Sequence, residues 1–194
     1  MEIKFITTNL EKVKRLEDAL KRFNVQEVTI TPKPLDIQEL RTAEIRVIAE
    51  QKARYARSVI NDPLVVEDSG FFIDSLNGFP RAFVNFALET IQIEVILRLV
   101  EGKPRDCEFR QCLVYADPSM YPELQSFESV SPGTLAEQPI GNASAWELHR
   151  IFIPRGYKKT IAEMTLQERE EYRATRSKDH YMQFAEWLKH HSDK

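Results

Sequence analysis

The spacing of apolar residues along the chain predicts four amphipathic helices. Val13, Leu16 and Leu20 lie at offsets of three and seven residues, which places them on one face of a helix. Residues 42–60 carry a second stripe of this kind. Two further stripes predict helices later in the chain, the first through Val84, Leu88, Ile91 and Val95 and the second through Tyr181, Phe184 and Leu188.

Apolar residues with the period of a strand stand between these helices. Residues 3–7 and 25–31 predict two strands, and residues 64–66 predict a short buried one. Residues 105–116 alternate between apolar and polar side chains, and residues 124–131 are the expected hairpin partner of that strand. Strands that alternate with helices indicate an α/β fold, here with an antiparallel section in its middle.

Length and charge limit the class of protein. No linker or repeat divides the 194 residues, so residues 1–194 are expected to form one domain with two lobes. Lys and Arg number 27 against 30 Asp and Glu, and a net charge of −3 argues against binding nucleic acid or membrane through bulk charge. No apolar run approaches the ~18 residues of a membrane span, and the first residues predict a strand instead of a basic leader. We therefore expect a cytoplasmic protein.

The two cysteines, Cys107 and Cys112, are predicted to be free thiols. Five strand residues at about 3.3 Å each would separate their Cα atoms by about 16 Å, whereas a disulfide requires about 4.4–6.8 Å. A zinc site is not expected, because neither a second cysteine pair nor a nearby histidine pair completes four ligands.

Residues 7–12 are the first candidate for chemistry, since they join the first predicted strand to the first predicted helix. Thr8 and Glu11 match the S/T-x-x-E pattern of a capping box. The N-terminus of a helix attracts anions through its unpaired N–H groups and its partial positive charge. Asn9 adds a side-chain donor and Lys12 adds a full charge. The same residues also fit a capped surface helix with a solvated lysine.

Glu67 and Asp68 are the second candidate, directly after the predicted strand at residues 64–66 and before Gly70, which permits a bend. Ligands of open α/β sheets bind beyond the carboxyl ends of the strands. Two carboxylates there could hold Mg²⁺ and polarise a water molecule, and Glu39 could complete the metal site. The alternative is a solvent-exposed acidic turn.

Two other segments carry candidate residues with an ordinary alternative. Lys52 lies in a charge-rich stretch of the second predicted helix, and such stretches usually form a solvated face. Trp146 could stack on a nucleotide base, but a tryptophan close to Leu148 also fits a core position.

The order of these segments resembles the inosine triphosphate and xanthosine triphosphate pyrophosphatase family, which hydrolyses abnormal purine nucleoside triphosphates. The T-x-N-x-x-K pattern of the family stands at residues 7–12, and its D-x-x-E pattern stands at residues 36–39. The most specific match is V-V-E-D-S-G-F-F-I-D-S-L-N-G-F-P at residues 65–80, and I-F-I-P-R-G-Y at residues 151–157 also matches. The resemblance covers nearly the whole chain.

The resemblance implies an elongated α/β fold with a central mixed sheet flanked by helices, an active-site cleft between two lobes, and usually a homodimer. It implies Mg²⁺-dependent hydrolysis of a nucleoside triphosphate to the monophosphate and pyrophosphate. By position, Glu39 and Glu67 correspond to metal ligands, and Asp68 corresponds to the base or water-positioning carboxylate. The candidate substrate contacts on this side are Thr7, Thr8, Asn9, Lys12, Lys52 and Ser69.

The sequence departs from the family where the family binds the base. The Gly-rich segment with an aspartate that precedes I-F-I-P is replaced by S-A-W-E-L-H at residues 144–149. The S-H-R triplet of the tail is matched only by A-T-R, which keeps Arg176. We therefore expect altered base selectivity, with Trp146, His149 and Arg176 as candidate base contacts.

The leading hypothesis is thus a Mg²⁺-dependent pyrophosphatase acting on a non-standard purine nucleoside triphosphate. One alternative is a nucleotide-binding or scaffold protein that kept the fold and lost turnover. Another is a phosphatase for a different metabolite, such as a modified pyrimidine triphosphate. The presence of Asp68 favours an enzyme, because a protein that only binds nucleotides has no need of a water-activating carboxylate.

Overall fold

The computed structural model of the protein describes residues 1–38, 40–120, 123–142, 146–176 and 179–191. The helices within these residues are α1 (Leu10–Arg22), α2 (Ile45–Val59), α3 (Val84–Thr90), α4 (Gln92–Leu99), α5 (Leu166–Thr175) and α6 (His180–His191). The strands are β1 (Glu2–Phe5), β2 (Thr29–Pro32), β3 (Leu64–Ile73), β4 (Pro80–Arg81), β5 (Asp106–Ala116), β6 (Leu124–Leu135) and β7 (Phe152–Pro154).

The strands form one mixed sheet with the order β2-β1-β3-β5-β6-β7, and β4 pairs with β3 outside this path. Strand β1 runs parallel to both β2 and β3, whereas β4 is antiparallel to β3 and β7 is antiparallel to β6. Strands β5 and β6 are neighbours, as their alternation predicts. A mixed sheet flanked by helices confirms the predicted α/β class.

The chain forms two compact units, and the segments of each are not contiguous in sequence. The first unit contains Met1–Ser69, Gln111–Ser129 and Lys178–Lys194, and the second contains Gly70–Arg110 and Val130–Ser177. The boundaries between the units therefore fall inside β3, β5 and β6. A single domain spanning residues 1–194 stays a prediction.

The core of the first unit is built from the stripes that the sequence predicts. Val13, Leu16 and Leu20 of α1 are buried, and α1 packs against α6. The predicted stripe on α6 is also buried, and it belongs to the same core cluster as Phe5 of β1, Val65 of β3 and Tyr115 of β5. The second unit has its own core, in which aromatic rings pack together, among them Phe71, Phe109 and Phe152.

Two predicted strands are wrong in detail. Strand β3 is one strand of ten residues, so Glu67 and Asp68 lie inside it and not on a bend after residue 66. Gly70 permits a bend but does not impose one, and the apolar residues on both sides favour an extended strand. Strand β2 begins at Thr29 and not at residue 25, since Glu27 has a φ of 63°.

The predicted third helix is interrupted. Gln92 has a φ of 63°, in the left-handed region, so α3 ends at Thr90 and a separate helix follows. The interruption changes which face is buried: Ile93 and Ile96 are in the core, whereas Val95, predicted to lie inside, is exposed.

Two other predictions from composition can be compared with the structure. Cys107 and Cys112 are both free and buried, and burial raises the pKa of the Cys112 thiol to about 12. Among the described residues, no helix is long and apolar enough to cross a membrane.

Candidate active site

The loop between β1 and α1 presents the N-terminus of a thirteen-residue helix. Asn9, and not Thr8, is the N-cap: its side-chain oxygen accepts from the backbone N–H groups of Glu11 at 3.0 Å and Lys12 at 3.4 Å. The hydroxyl oxygen of Thr7 accepts from the N–H of Asn9 at 3.0 Å. Thr8 and Asn9 are exposed. The predicted capping box at Thr8 is therefore wrong by one residue, because Asn9 is itself a strong capping residue.

Glu67 lies beside Lys12 in a buried group of polar side chains. The Lys12 Nζ is 3.3 Å from Glu67 Oε2, and the Tyr181 hydroxyl donates to the same oxygen at 2.5 Å. His180 Nε2 lies 3.7 Å from Glu67 Oε1. Burial alone would raise the pKa of Glu67, but the nearby Lys12, His180 and Arg15 and the Tyr181 hydrogen bond together lower it to about 2. Glu67 is thus an ionised carboxylate in the interior.

Asp68 contacts a different lysine. The Lys52 Nζ on α2 donates to Asp68 Oδ2 at 2.5 Å, and the backbone N–H of Ser69 donates to Asp68 Oδ1 at 2.8 Å. The Lys52 and Asp68 side chains are only 16% and 13% exposed. Lys52 is therefore not part of a solvated face, although its neighbours Arg54 and Glu50 form an exposed ion pair.

The structure thus brings four predicted residues into two lysine–carboxylate pairs, Lys12 with Glu67 and Lys52 with Asp68. All four belong to the first unit. The two pairs draw on separate helices, α1 and α2, and both carboxylates come from adjacent positions of β3. The acidic-turn alternative is wrong for these carboxylates, since both are largely shielded from solvent.

The donor chemistry of this group fits a hard divalent cation. Mg²⁺ is usually bound by only one or two carboxylates and completes its coordination with water and substrate phosphates. Glu67 supplies an ionised carboxylate, as such an ion requires. Within the described part of the chain, no group of three His, Cys, Asp or Glu residues is placed to hold a metal. The predicted ligand Glu39 lies outside the described residues.

The candidate base contacts all belong to the second unit. Trp146 is 42% exposed, and its ring centroid lies 5.8 Å from that of Phe109 and 5.3 Å from that of His149. It is not a core residue, so the core alternative for it is wrong. Arg176 is the C-cap of α5, with its guanidinium 5.8 Å from the centre of the Tyr172 ring. Ser144, which begins the altered segment, lies outside the described residues.

Sequence reasoning missed the polar part of α6. Tyr181 was expected only as a core residue of an apolar stripe, and His180 was not singled out. Both contact Glu67, which is more than 110 residues earlier in the chain. The available signal was a pair of aromatic residues with polar atoms on a face that had to be buried, because such atoms need a partner.

Similarity to known proteins identifies the family to which this chain belongs. The sequence model described as the Ham1 family matches residues 3–178. A dITP/XTP pyrophosphatase of Saccharolobus solfataricus is 31% identical, over 100% of this chain and 97% of that protein. One of Methanopyrus kandleri is 33% identical, over 97% of each chain.

Solved structures give the same fold. A HAM1 protein from Coxiella burnetii superposes with a TM-score of 0.78 at 23% identity, covering 97% of this chain and 96% of that one. The Ham1 protein of Staphylococcus aureus has a TM-score of 0.79 at 18% identity, covering 98% of this chain and 100% of that one. The family model and the curated relatives confirm the resemblance predicted from the sequence.

Proposed function

Because this chain belongs to the Ham1 family, we propose that it hydrolyses a nucleoside triphosphate to the monophosphate and pyrophosphate. Its curated relatives, which are named dITP/XTP pyrophosphatases, confirm the predicted enzyme class. The proposed substrate is a non-standard purine nucleoside triphosphate, as in those relatives, with a base selectivity altered by residues 144–149. The proposed setting is the cytoplasm, and the proposed assembly is a homodimer.

The observation that carries this proposal is the pair of lysine–carboxylate contacts in the first unit. A triphosphate bears about four negative charges, and its hydrolysis depends on positioning and on charge stabilisation. Lys12 and Lys52 supply two positive charges, and the exposed N-terminus of α1 supplies N–H dipoles beside Lys12. Thr7, Thr8 and Asn9 line the same loop. The first unit therefore holds the groups that a triphosphate requires.

In the proposed reaction a water molecule attacks the α-phosphorus. The bond from that phosphorus to the oxygen bridging the α- and β-phosphates breaks, and pyrophosphate leaves. Asp68 accepts the proton of the attacking water, since its carboxylate is held in a fixed position by Lys52 and by the N–H of Ser69. Lys12 and Lys52 contact the phosphate oxygens, so that each lysine exchanges part of its contact with a carboxylate for one with the substrate.

Mg²⁺ is the proposed cofactor, with Glu67 and Glu39 as its protein ligands. When bound, it neutralises phosphate charge and favours loss of the pyrophosphate group. Side chains of the protein perform the other steps: Asp68 orients and deprotonates the water molecule, and Lys12 and Lys52 orient the triphosphate.

The direct test measures pyrophosphate release from a panel of nucleoside triphosphates, with Mg²⁺ and with EDTA. We expect turnover of at least one triphosphate, formation of one monophosphate for each pyrophosphate, and loss of turnover in EDTA. Release of orthophosphate instead would identify a phosphatase. Tight binding of a triphosphate without turnover would identify the nucleotide-binding alternative.

A further inference from the structure

Tyr181 of α6 is held on both sides. Its hydroxyl donates to Glu67 Oε2, and the guanidinium of Arg15 lies 4.8 Å from the centre of its ring. Arg15 in turn faces the carboxylate of Asp179 at 3.7 Å, and Asp179 accepts from the N–H of Met182 in the first turn of α6. A residue clamped in this way has little rotational freedom, so the position of its hydroxyl is well defined.

His180 is the second residue of α6 that faces Glu67. Its side chain is completely buried, and its Nδ1 lies 2.8 Å from the hydroxyl oxygen of Ser129 on β6. The Ser129 hydroxyl also lies 3.2 Å from Gln111 Oε1 on β5. The sheet therefore fixes one nitrogen of the ring, and this directs the other toward Glu67 Oε1.

We propose that Tyr181 and His180 are positioning residues for Lys12, acting through the carboxylate of Glu67. This inference rests on the proposed function, in which Lys12 contacts the triphosphate. The Glu67 side chain is 2% exposed, whereas the Lys12 side chain is 25% exposed. The buried carboxylate is thus a fixed anchor, and the lysine is the member of the pair that a substrate reaches.

The anchor matters because a lysine side chain is long and flexible. Its ammonium group has three N–H donors, so one can bind Glu67 while the others remain available for phosphate oxygens. A fixed Glu67 holds the ammonium group in advance of binding and reduces the loss of conformational entropy when the substrate arrives. Without the Tyr181 hydroxyl, the carboxylate has fewer donors and competes with the phosphate for Lys12.

The test is Tyr181→Phe, which removes one oxygen atom and keeps the ring. We expect KM for the triphosphate to rise about tenfold and kcat to change by less than about twofold, as for loss of a charge-assisted contact in binding. Isothermal titration calorimetry with inorganic tripolyphosphate in EDTA measures the contribution of the lysines to binding without the metal. The variant should bind tripolyphosphate about tenfold more weakly than wild type.

The matched control is Tyr115→Phe. The Tyr115 hydroxyl donates to Asp117 Oδ2 at 2.8 Å, so this variant removes the same kind of buried bond from the same unit, at a carboxylate other than Glu67. It should leave KM and tripolyphosphate affinity unchanged. His180→Ala should behave as Tyr181→Phe does, and His180→Gln, which keeps an N–H donor, should recover most of the affinity.

A double variant decides whether Tyr181 acts through Lys12. In a Lys12→Ala background, Tyr181→Phe should have no further effect on tripolyphosphate affinity, because the group that it positions is gone. Additive effects, or an unchanged affinity in Tyr181→Phe and His180→Ala, would overturn the inference. Wild-type protein that releases no pyrophosphate but still loses tripolyphosphate affinity on Lys12→Ala would instead contradict the proposed function.

Discussion

Glu67 and Asp68 are neighbours in the sequence, yet each contacts its own lysine. Glu67 is buried with Lys12 and Tyr181, whereas Asp68 meets Lys52 at a part-buried position. Two adjacent carboxylates of one strand therefore have different surroundings. In the proposed reaction Glu67 binds Mg²⁺ and holds Lys12, whereas Asp68 accepts the proton of the attacking water.

This difference gives different kinetic signatures for the two carboxylates. Asp68→Asn should lower kcat by about 100-fold or more, with triphosphate affinity largely kept, because a general base is lost. Glu67→Gln should abolish most turnover and raise the Mg²⁺ concentration needed for half-maximal rate, since a ligand charge is lost. Steady-state kinetics over a Mg²⁺ series measure both effects, with the exposed Asp62→Asn as control. Wild-type rates in both variants would remove these residues from the mechanism.

A second residue-scale prediction concerns Asp117 and acid stability. Burial would raise its pKa, but hydrogen bonds from Ser119 and Tyr115 outweigh it and lower the pKa below its ordinary value of 3.8. A carboxyl with a lowered pKa stabilises the fold fully above its unfolded pKa and loses that contribution as the pH falls through the folded pKa. Asp117→Asn should therefore be less stable than wild type at pH 7, and the gap should narrow below pH 3.8.

Urea unfolding at several pH values measures this gap, with Asp18→Asn, which changes an exposed carboxylate, as the control. A gap for Asp117→Asn that stays constant from pH 7 to below 3.8 would contradict the assigned role of the hydrogen bonds.

How much of the site could be predicted depends on how local each signal is. Lys12 and Lys52 lie in short sequence segments with a recognisable pattern, so each could be named as a candidate substrate contact. Their pairing with Glu67 and Asp68 depends on how α1 and α2 pack on β3, which no local pattern records. The contact of Tyr181 with Glu67 could not be predicted for the same reason, because the two residues are distant in sequence and the rest of the stripe that contains Tyr181 is apolar.

At the scale of elements, periodic stripes were the reliable signal. The ends of α2 were predicted within three residues and the N-cap of α1 within one, since the buried faces of both helices repeat over several turns. The break at Gln92 and the continuous β3 were not predicted. Both depend on backbone conformation at single residues, where the sequence permits more than one outcome and the surrounding packing selects it.

Strands β6 and β7 supply a prediction about stability. A Cβ at Gly133 would lie 2.4 Å from the ring of Phe152 and 2.5 Å from the backbone oxygen of Ile153. The backbone atom cannot move aside as a flexible side chain would, so Gly133→Ala should lower the free energy of unfolding by about 3 kcal/mol. Val130→Ala at an exposed position of the same strand should cost less than about 1 kcal/mol. Equal urea midpoints for the two variants would contradict the close approach.

For the whole molecule, the α/β class and the family were predicted, because the block at residues 65–80 and its flanking motifs are specific. The division into two units could not be read from the chain in the same way. Linkers mark a boundary between contiguous domains, but here the boundaries fall inside strands, one of which, β3, also carries Glu67 and Asp68.

The last prediction at this scale concerns base selectivity, because residues 144–149 depart from the pattern of the family. Hydrogen bonds to a base edge discriminate strongly, whereas stacking discriminates weakly because every base has a π face. With the Gly-rich segment replaced, we expect the preference for ITP and XTP over ATP and GTP to be weak or moved to another base. Specificity constants for these four and a modified pyrimidine triphosphate measure it. A preference of a hundredfold or more, unchanged in Trp146→Ala and His149→Ala, would contradict this expectation.

Because the segments of the two units alternate along the chain, neither unit is translated as one continuous piece. Glu67 and Lys12 are translated early, but α6, which carries the donors to Glu67, follows every segment of the second unit. Until those later segments have been translated, Glu67 therefore lacks the contacts with Tyr181 and His180 that it has in the folded protein. The chain of the first unit is completed only after the chain of the second unit has been made.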